Sequence, residues 1–335
     1  MSREPRAASR DSSPEACLQV PRPPSVVIGT RGSQLALWQA NHVAARLRSA
    51  VPGISVDLQT IKTTGDKILD VPLAQVGGKA LFVKEIEEAL LEGRVDLAVH
   101  SMKDVPTDLP VGLAIVAVTE REDPRDVLIS RTGKGLQDLP HGARVGTSSL
   151  RRQAQLLHHR PDLTIISLRG NLDTRIRKLQ SEGLDAVVLA AAAIKRLGWT
   201  DRITEFLPPE VCLPAIGQGA LGIECREPRA ASREPCILPI VNTLNHAESR
   251  VAVLAERAFL RRLEGGCQVP FAALAEIGGG RILLRGLVAS PDGKRILRGE
   301  RSGIGQESEG LGAALAEDLL SRGAGEIIDA VLRKS

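Results

Sequence analysis

From Ser25 onward, short apolar runs alternate with amphipathic stretches. SVVIGT is an apolar run closed by Gly29 and Thr30, and Ser33 then stands as a cap for a helix through LALWQANHVAARLRSA. ISVDLQTI alternates strictly and predicts a strand. KALFVKEIEEALLEG has helical spacing, with Leu81, Phe82, Ile86 and Leu90 on one side and Gly93 as a stop. VDLAVHS follows as a buried strand. The alternation continues with ARVGTS before SLRRQAQLLHH, LTIISL before LDTRIRKLQSEG, and DAVVLA before AAIKRLG. Such a pattern builds parallel or mixed sheets covered by helices on both faces.

Two turn-rich segments, REDPRD (121–126) and LPPEVCLP (207–214), bracket one compact unit. The next block, AIGQGALGIECRE, reads as a further strand of the preceding unit. The chain therefore leaves one unit and returns to it, which gives two connecting segments and a hinged cleft. A third region opens near His246 with a long helix, AESRVAVLAERAFLRRLEGG. ALAEIGGGRILLRGLVASPDGKRILRGERSG then reads as antiparallel strands turned at Gly-Gly and Pro-Asp-Gly. Helices LGAALAEDLLSRG and AGEIIDAVLRK follow. The expected division is a disordered tail over 1–24, a first α/β domain over 25–120 and 215–240, a second over 121–214, and an α+β domain over 245–335. The octapeptide REPRAASR occurs twice, at 3–10 and 226–233.

Composition narrows the function classes. Hydrophobic residues make up 43% and charged residues 25% of the 335, which is ordinary for a globular chain. No apolar stretch approaches the ~18 residues of a membrane span. Aromatics are 2%, with no Tyr, which argues against base-stacking platforms for nucleic acid. A net charge of +4 is too mild to imply a nucleic-acid partner, so any useful positive charge must be concentrated at a site. Cys17, Cys212, Cys225, Cys236 and Cys267 form no C-x-x-C pair and lack histidines at zinc spacing, so no metal is expected. An odd, sparse set of thiols suits a reducing compartment. The tail lacks the apolar core of a signal peptide, and its Glu4, Asp11 and Glu15 are untypical of a transit peptide. A cytoplasmic location is expected, with the plastid as the alternative.

Candidate chemistry gathers at strand-to-helix turns. VGTSSLRR puts Thr147, Ser148 and Ser149 at a helix start, with Arg151 and Arg152 in its first turn. LRGNLDTRIRK repeats the device: Arg169 ends a strand, Gly170 and Asn171 turn, and Arg175 and Arg177 lie on the next helix. Cations in a first helical turn oppose the macrodipole, so stability does not account for Arg151 and Arg152. Free N–H groups beside guanidinium forks suit carboxylates or phosphates. In VDLAVHSMKDVP a buried strand ends at His100 and Ser101, and Lys103 and Asp104 follow where an open α/β sheet faces its crevice. Position alone leaves Asp104 as either an ordinary ion pair or a catalytic carboxylate. In LEGGCQVP, Cys267 follows two glycines, with Arg261 and Arg262 a turn earlier. A buried thiol and a reactive or attachment thiol both fit that pattern. The P-loop, zincin and nucleophile-elbow motifs are absent.

GTRGSQLALWQ, HSMKDVP, VGTSSLRRQ, LRGN followed by TR, AIGQGALGIEC and RLEGGCQVP, in this order, resemble the hydroxymethylbilane synthase (porphobilinogen deaminase) family over residues 25–335. The resemblance implies an α/β fold of three domains. Two alike α/β domains, similar to periplasmic binding proteins, would flank a cleft, with a smaller α+β domain beside them. It implies a transferase of haem and tetrapyrrole biosynthesis that condenses four porphobilinogens head to tail, releases ammonia each time and yields linear hydroxymethylbilane. By this likeness Cys267 carries a dipyrromethane cofactor through a thioether, and Asp104 is the catalytic carboxylate. Loss of ammonia leaves a cationic azafulvene, which a fixed anion stabilises. Arg31, Ser33, Lys103, Thr147, Ser148, Ser149, Arg151, Arg152, Arg169, Gly170 and Arg175 match the positions that bind substrate and cofactor carboxylates. Lys79 and Phe82 match a loop over the cleft. Gln75 departs from the lysine common in bacterial relatives. The resemblance also implies a monomer with no nucleic-acid or membrane partner.

Overall fold

The computed structural model describes residues 25–67, 83–227, 237–263 and 269–333. The first part of the chain forms β1 (Ser25–Thr30), α1 (Gln34–Ala50), β2 (Ser55–Thr60), α2 (Thr64–Lys67), α3 (Lys84–Leu91), β3 (Leu97–Ser101) and β4 (Leu113–Val118). It crosses into β5 (Asp126–Ser130), β6 (Arg144–Gly146), α4 (Leu150–His159), β7 (Thr164–Ile166), α5 (Leu172–Ser181), β8 (Ala186–Ala190), α6 (Ala191–Arg196) and β9 (Glu205–Leu207). It then crosses back into β10 (Leu221–Arg226) and α7 (Leu238–Asn242). α8 (Ala247–Arg262), β11 (Phe271–Gly278), β12 (Arg281–Ala289), β13 (Ile296–Ile304), α9 (Ser308–Leu319) and α10 (Gly325–Leu332) complete it.

Among the described residues there are three sheets, ordered β2-β1-β3-β10-β4, β7-β6-β8-β5-β9 and β11-β12-β13. The fold is α/β, two mixed sheets with helices plus a smaller antiparallel sheet. The first two share one plan. Three parallel strands are followed by an antiparallel one that continues a crossing: β10 pairs with β3 and β4, and β5 pairs with β8 and β9. Apolar runs mark the inner strands. All five residues of β8 are buried, as a strand covered on both faces requires. Val26, Ile28, Leu97 and Ile223 build one core with Val43 and Leu47 of α1.

The third unit packs α8 and α9 on one face of β11–β13, around Phe259, Leu284, Leu315 and Leu319. Its other face closes on the second unit through Ala272, Leu274, Leu287 and Ala289 against Ala154 and Leu213. The helix expected from Lys79 begins at Lys84, residues 68–82 lying outside the described residues. The helix expected through Gly323 ends regularly at Leu319 and continues as a wider turn, where Gly323 takes φ 94°.

Both crossings are tied to the third unit by one buried acid. Glu256 of α8, fully buried, pairs with Arg121 at 2.5 Å and accepts the backbone N–H of Gly217 (2.6 Å) and Ala275 (2.8 Å). Here the two crossings press together. Gly219 has φ 92°, and a Cβ there would sit 2.2 Å from the carbonyl oxygen of Glu122. Gly219→Ala is therefore expected to cost about 3 kcal/mol of stability through left-handed strain plus backbone overlap. A lowered urea midpoint would register this. Gly310→Ala, at an α9 site with open space around its Cα, should leave the midpoint unchanged or slightly raised.

Candidate functional site

The carboxyl ends of the parallel strands carry the candidate residues. In the first unit β3 runs into a short turn, Met102–Asp104. Met102 is buried and rivets this turn: its N–H donates to the carbonyl of Ala220 at 3.0 Å, and only glycine fits beside it. A Cβ at Gly222 would come within 2.2 Å of Met102 Sδ, and one at Gly217 within 2.8 Å of Met102 Cβ. Ser101 is braced from α1 by Gln39, whose Nε2 donates to its hydroxyl at 2.9 Å. The turn so held presents Asp104 at the surface and half-buries Lys103. Burial pushes the Lys103 ammonium down to about 8, against the upward pull of Asp104, with Arg152 and Arg151 adding to the lowering.

The hydroxyl residues act as local braces. Ser149 caps α4 by accepting the N–H of Arg152 at 3.4 Å, and Thr147 Oγ1 accepts the N–H of Ser149 at 3.2 Å. Ser148 donates to the carbonyl of Leu168, joining the two turns of the second unit. Ser33 caps α1 through the N–H of Ala36 at 3.4 Å, beside half-buried Arg31.

Arg151 and Arg152 require a correction. They are not surface cations left unexplained by stability; both are buried on Asp126, the first residue of β5, itself fully buried. Arg151 Nη1 lies 2.7 Å from Asp126 Oδ2, and Arg152 Nη2 lies 2.7 Å from Oδ1. Arg151 also donates to the carbonyl of Leu213 at 2.6 Å, and Arg152 to that of Val188 at 2.9 Å. Breaking a buried pair of this kind typically costs about 3–5 kcal/mol, whereas a cation opposing the macrodipole loses about 0.3–1 kcal/mol. The ion pair outweighs the dipole penalty, so this first turn tolerates two cations.

The second arginine turn is more open. β7 ends at Ile166, so Arg169 lies beyond the strand rather than closing it. Gly170 takes φ 111°, and its carbonyl accepts Arg175 Nε at 2.8 Å. Burial pushes the Arg175 guanidinium down to about 10; Arg152 and Arg169 lower it further and Asp104 opposes them. Asp104 thus acts on Lys103 of its own unit and on Arg175 of the other. Arg177 faces outward and pairs with Asp173 at 3.2 Å.

Cys267, Lys79 and Phe82 lie outside the described residues. Of the two arginines expected near Cys267, Arg262 is engaged with Glu317 at 2.6 Å. Three contributors escaped the sequence reading. Asp126 passed as part of a turn, although the apolar run after it marks a strand start. Gln218, also buried, donates to Asp126 at 2.9 Å. Arg196 of α6 reaches the first unit, donating to the carbonyl of Gly219 at 2.6 Å with its guanidinium 5.8 Å from the Trp38 ring centre. Nothing in the local pattern of AAIKRLG signals that reach. Cys212 and Cys225 are buried, and burial pushes the Cys212 thiol up to about 12. No group of three or more His, Cys, Asp or Glu among the described residues could hold a metal ion.

Residues 26–234 match the family model of the porphobilinogen deaminase dipyrromethane-cofactor-binding domain, and residues 251–321 match that of the porphobilinogen deaminase C-terminal domain. Curated relatives named porphobilinogen deaminase include one from Pelobacter propionicus, 57% identical over 93% of this chain and 99% of that one. Another, from Geobacter metallireducens, is 58% identical over 93% and 96%. A TRAP periplasmic solute-binding protein from Desulfovibrio salexigens aligns at a TM-score of 0.41 with 12% identity, over 66% of this chain and 72% of that one.

The depressed Lys103 yields a direct expectation. Its labelling by an amine-reactive reagent, followed by peptide mapping, should reach half its maximum near pH 8, about two pH units below an unperturbed lysine. A Lys103 half-maximum at about pH 10 or above would contradict it.

Proposed function

The chain belongs to the porphobilinogen deaminase family, whose members condense four porphobilinogens into hydroxymethylbilane, and from this we propose how its own residues carry that reaction. The observation that carries the proposal is the charge around Asp104. Lys103, Arg152, Arg169 and Arg175 lie within electrostatic reach of one another or of that acid, so cations outnumber carboxylates in the cleft. Like charges held together in a half-buried site are unfavourable unless a polyanion joins them. Porphobilinogen carries an acetate and a propionate, and dipyrromethane carries such a pair on each ring. The donor set fits both.

Arg151, Arg152, Arg169 and Arg175, with Lys103, Arg31 and the Ser33, Thr147, Ser148 and Ser149 turns, bind and orient those carboxylates. Guanidinium forks suit them because each can donate two parallel N–H bonds to one carboxylate. Gly170 lets its turn approach closely. Dipyrromethane, attached at Cys267, supplies the pyrrole carbon at which the chain is extended. Asp104 then acts as a fixed anion beside the reacting carbons. It stabilises the positive charge left when ammonia departs from porphobilinogen, and its carboxylate oxygen takes and returns a proton between steps. The family resemblance gives Lys79 and Phe82, outside the described residues, a role toward the bound ligand. The enzyme works as a cytoplasmic monomer without nucleic-acid or membrane partners. An odd, sparse set of cysteines agrees with a reducing compartment, and no described helix is long and apolar enough to span a membrane.

Asp104→Asn should keep fold and cofactor, by circular dichroism and intact mass, yet lose about 10²- to 10⁴-fold in turnover. A near-normal rate would remove Asp104 from the chemistry. Cys267→Ser should have the mass of the bare chain even after incubation with porphobilinogen; a covalently loaded variant would contradict the attachment. Arg151→Leu should raise KM for porphobilinogen or slow loading, measured by steady-state rates and by mass against time.

A further inference from the structure

The acid behind the arginines is not consumed by the reaction, yet more groups converge on it than its own stability requires. Asp126 Oδ1 accepts Arg152 Nε (3.1 Å) and Nη2 (2.7 Å) together with Gln218 Nε2 (2.9 Å). Oδ2 takes Arg151 Nη1 at 2.7 Å and the thiol of Cys212 at 3.3 Å. These partners come from different places: the arginines from the first turn of α4, Cys212 and Gln218 from the returning crossing, and Asp126 itself from the end of the outgoing one. Arg151 takes part in these bonds through Nη1 alone.

We propose that Asp126 is a positioning residue for carboxylate binding: an internal counter-anion that sets the Arg151 and Arg152 forks in place before ligand arrives and couples them to the two crossings. The proposal rests on the reading that these arginines grip carboxylates of substrate and cofactor. Without a ligand, two buried guanidiniums would repel each other and swing toward water; Asp126 neutralises one charge and fixes both planes. Burial by itself would favour the protonated acid, but Arg151 and Arg152 override it and hold the carboxyl well below the usual range. Asp126 therefore stays anionic throughout the working pH range. The remaining net positive charge is what the ligand meets, already oriented, so little reorganisation is needed on binding.

The test is Asp126→Asn in the full chain, before and after loading with dipyrromethane, the two forms being told apart by intact mass. A misplaced fork should raise KM for porphobilinogen about tenfold while kcat changes less than about threefold. The gain in Tm on loading should exceed that of the natural protein, because ligand carboxylates then supply the counter-charge Asp126 no longer provides. Asp126→Glu, which keeps the charge but shifts it by one methylene, should show the natural loading gain and an intermediate KM. Equal Tm losses in both forms with an unchanged KM would make Asp126 merely structural and overturn the proposal. If the Asn variant folds in neither form, an unchanged KM in folded Asp126→Glu overturns it equally. Arg151→Leu separates the two ideas. A normal KM there defeats the carboxylate-grip reading, whereas a raised KM there with a normal one in Asp126→Asn defeats only the role of Asp126.

Discussion

The double crossing between the first two sheets is the constraint on which this architecture depends. Each sheet completes its fourth position with a strand that has just left the other unit, β10 in one and β5 in the other. Because both inserted strands run antiparallel to their neighbours, the parallel strands of the two sheets direct their carboxyl ends toward the space between the units. The turn at Met102–Asp104 and the arginine turns of α4 and α5 meet there for that reason. Glu256 then fastens both crossings to the third unit, so the cleft has a common base. Ligand sites at the carboxyl ends of strands are the general outcome of open α/β sheets, and here two such ends face each other.

Electrostatics decides what that space can accept. Burying cations in the cleft, beside one another, costs free energy, visible in the lowered affinity of Lys103 and Arg175 for their protons. The protein offsets part of the cost internally through Asp126 and leaves the rest for the ligand. A small monoanion would satisfy little of it, whereas a growing oligopyrrole adds two carboxylates per ring. Asp104 serves the opposite demand, since the chemistry creates positive charge. In the proposed reaction the same acid that tempers the surrounding cations stabilises a carbocation.

The route from sequence to site is uneven, and particular residues show why. Ser33 and Ser149 are recognisable caps because capping is a local geometry of three or four residues. Gly93 and Gly170 mark turns for the same reason, each with positive φ. Arg151 and Arg152 stood out as misplaced in a first helical turn, which was the right signal with an incomplete explanation. Their counter-ion lies 25 and 26 positions earlier in the chain, and no period links them. Arg196, reaching Trp38 and Gly219 across the units, left no local mark at all.

What the chain by itself determined was the alternation of strand and helix, the return of AIGQGALGIEC to the first unit, and the family, through long ordered motifs around Asp104, Arg151 and Cys267. Those are properties of neighbouring residues: periodicity, caps, turn glycines and contiguous runs. Tertiary structure alone decided which charges meet. Whether an arginine is solvated, paired with Asp126 or poised over the cleft depends on distances between segments far apart in sequence, and on the burial that turns a weak solvent-exposed attraction into a strong one.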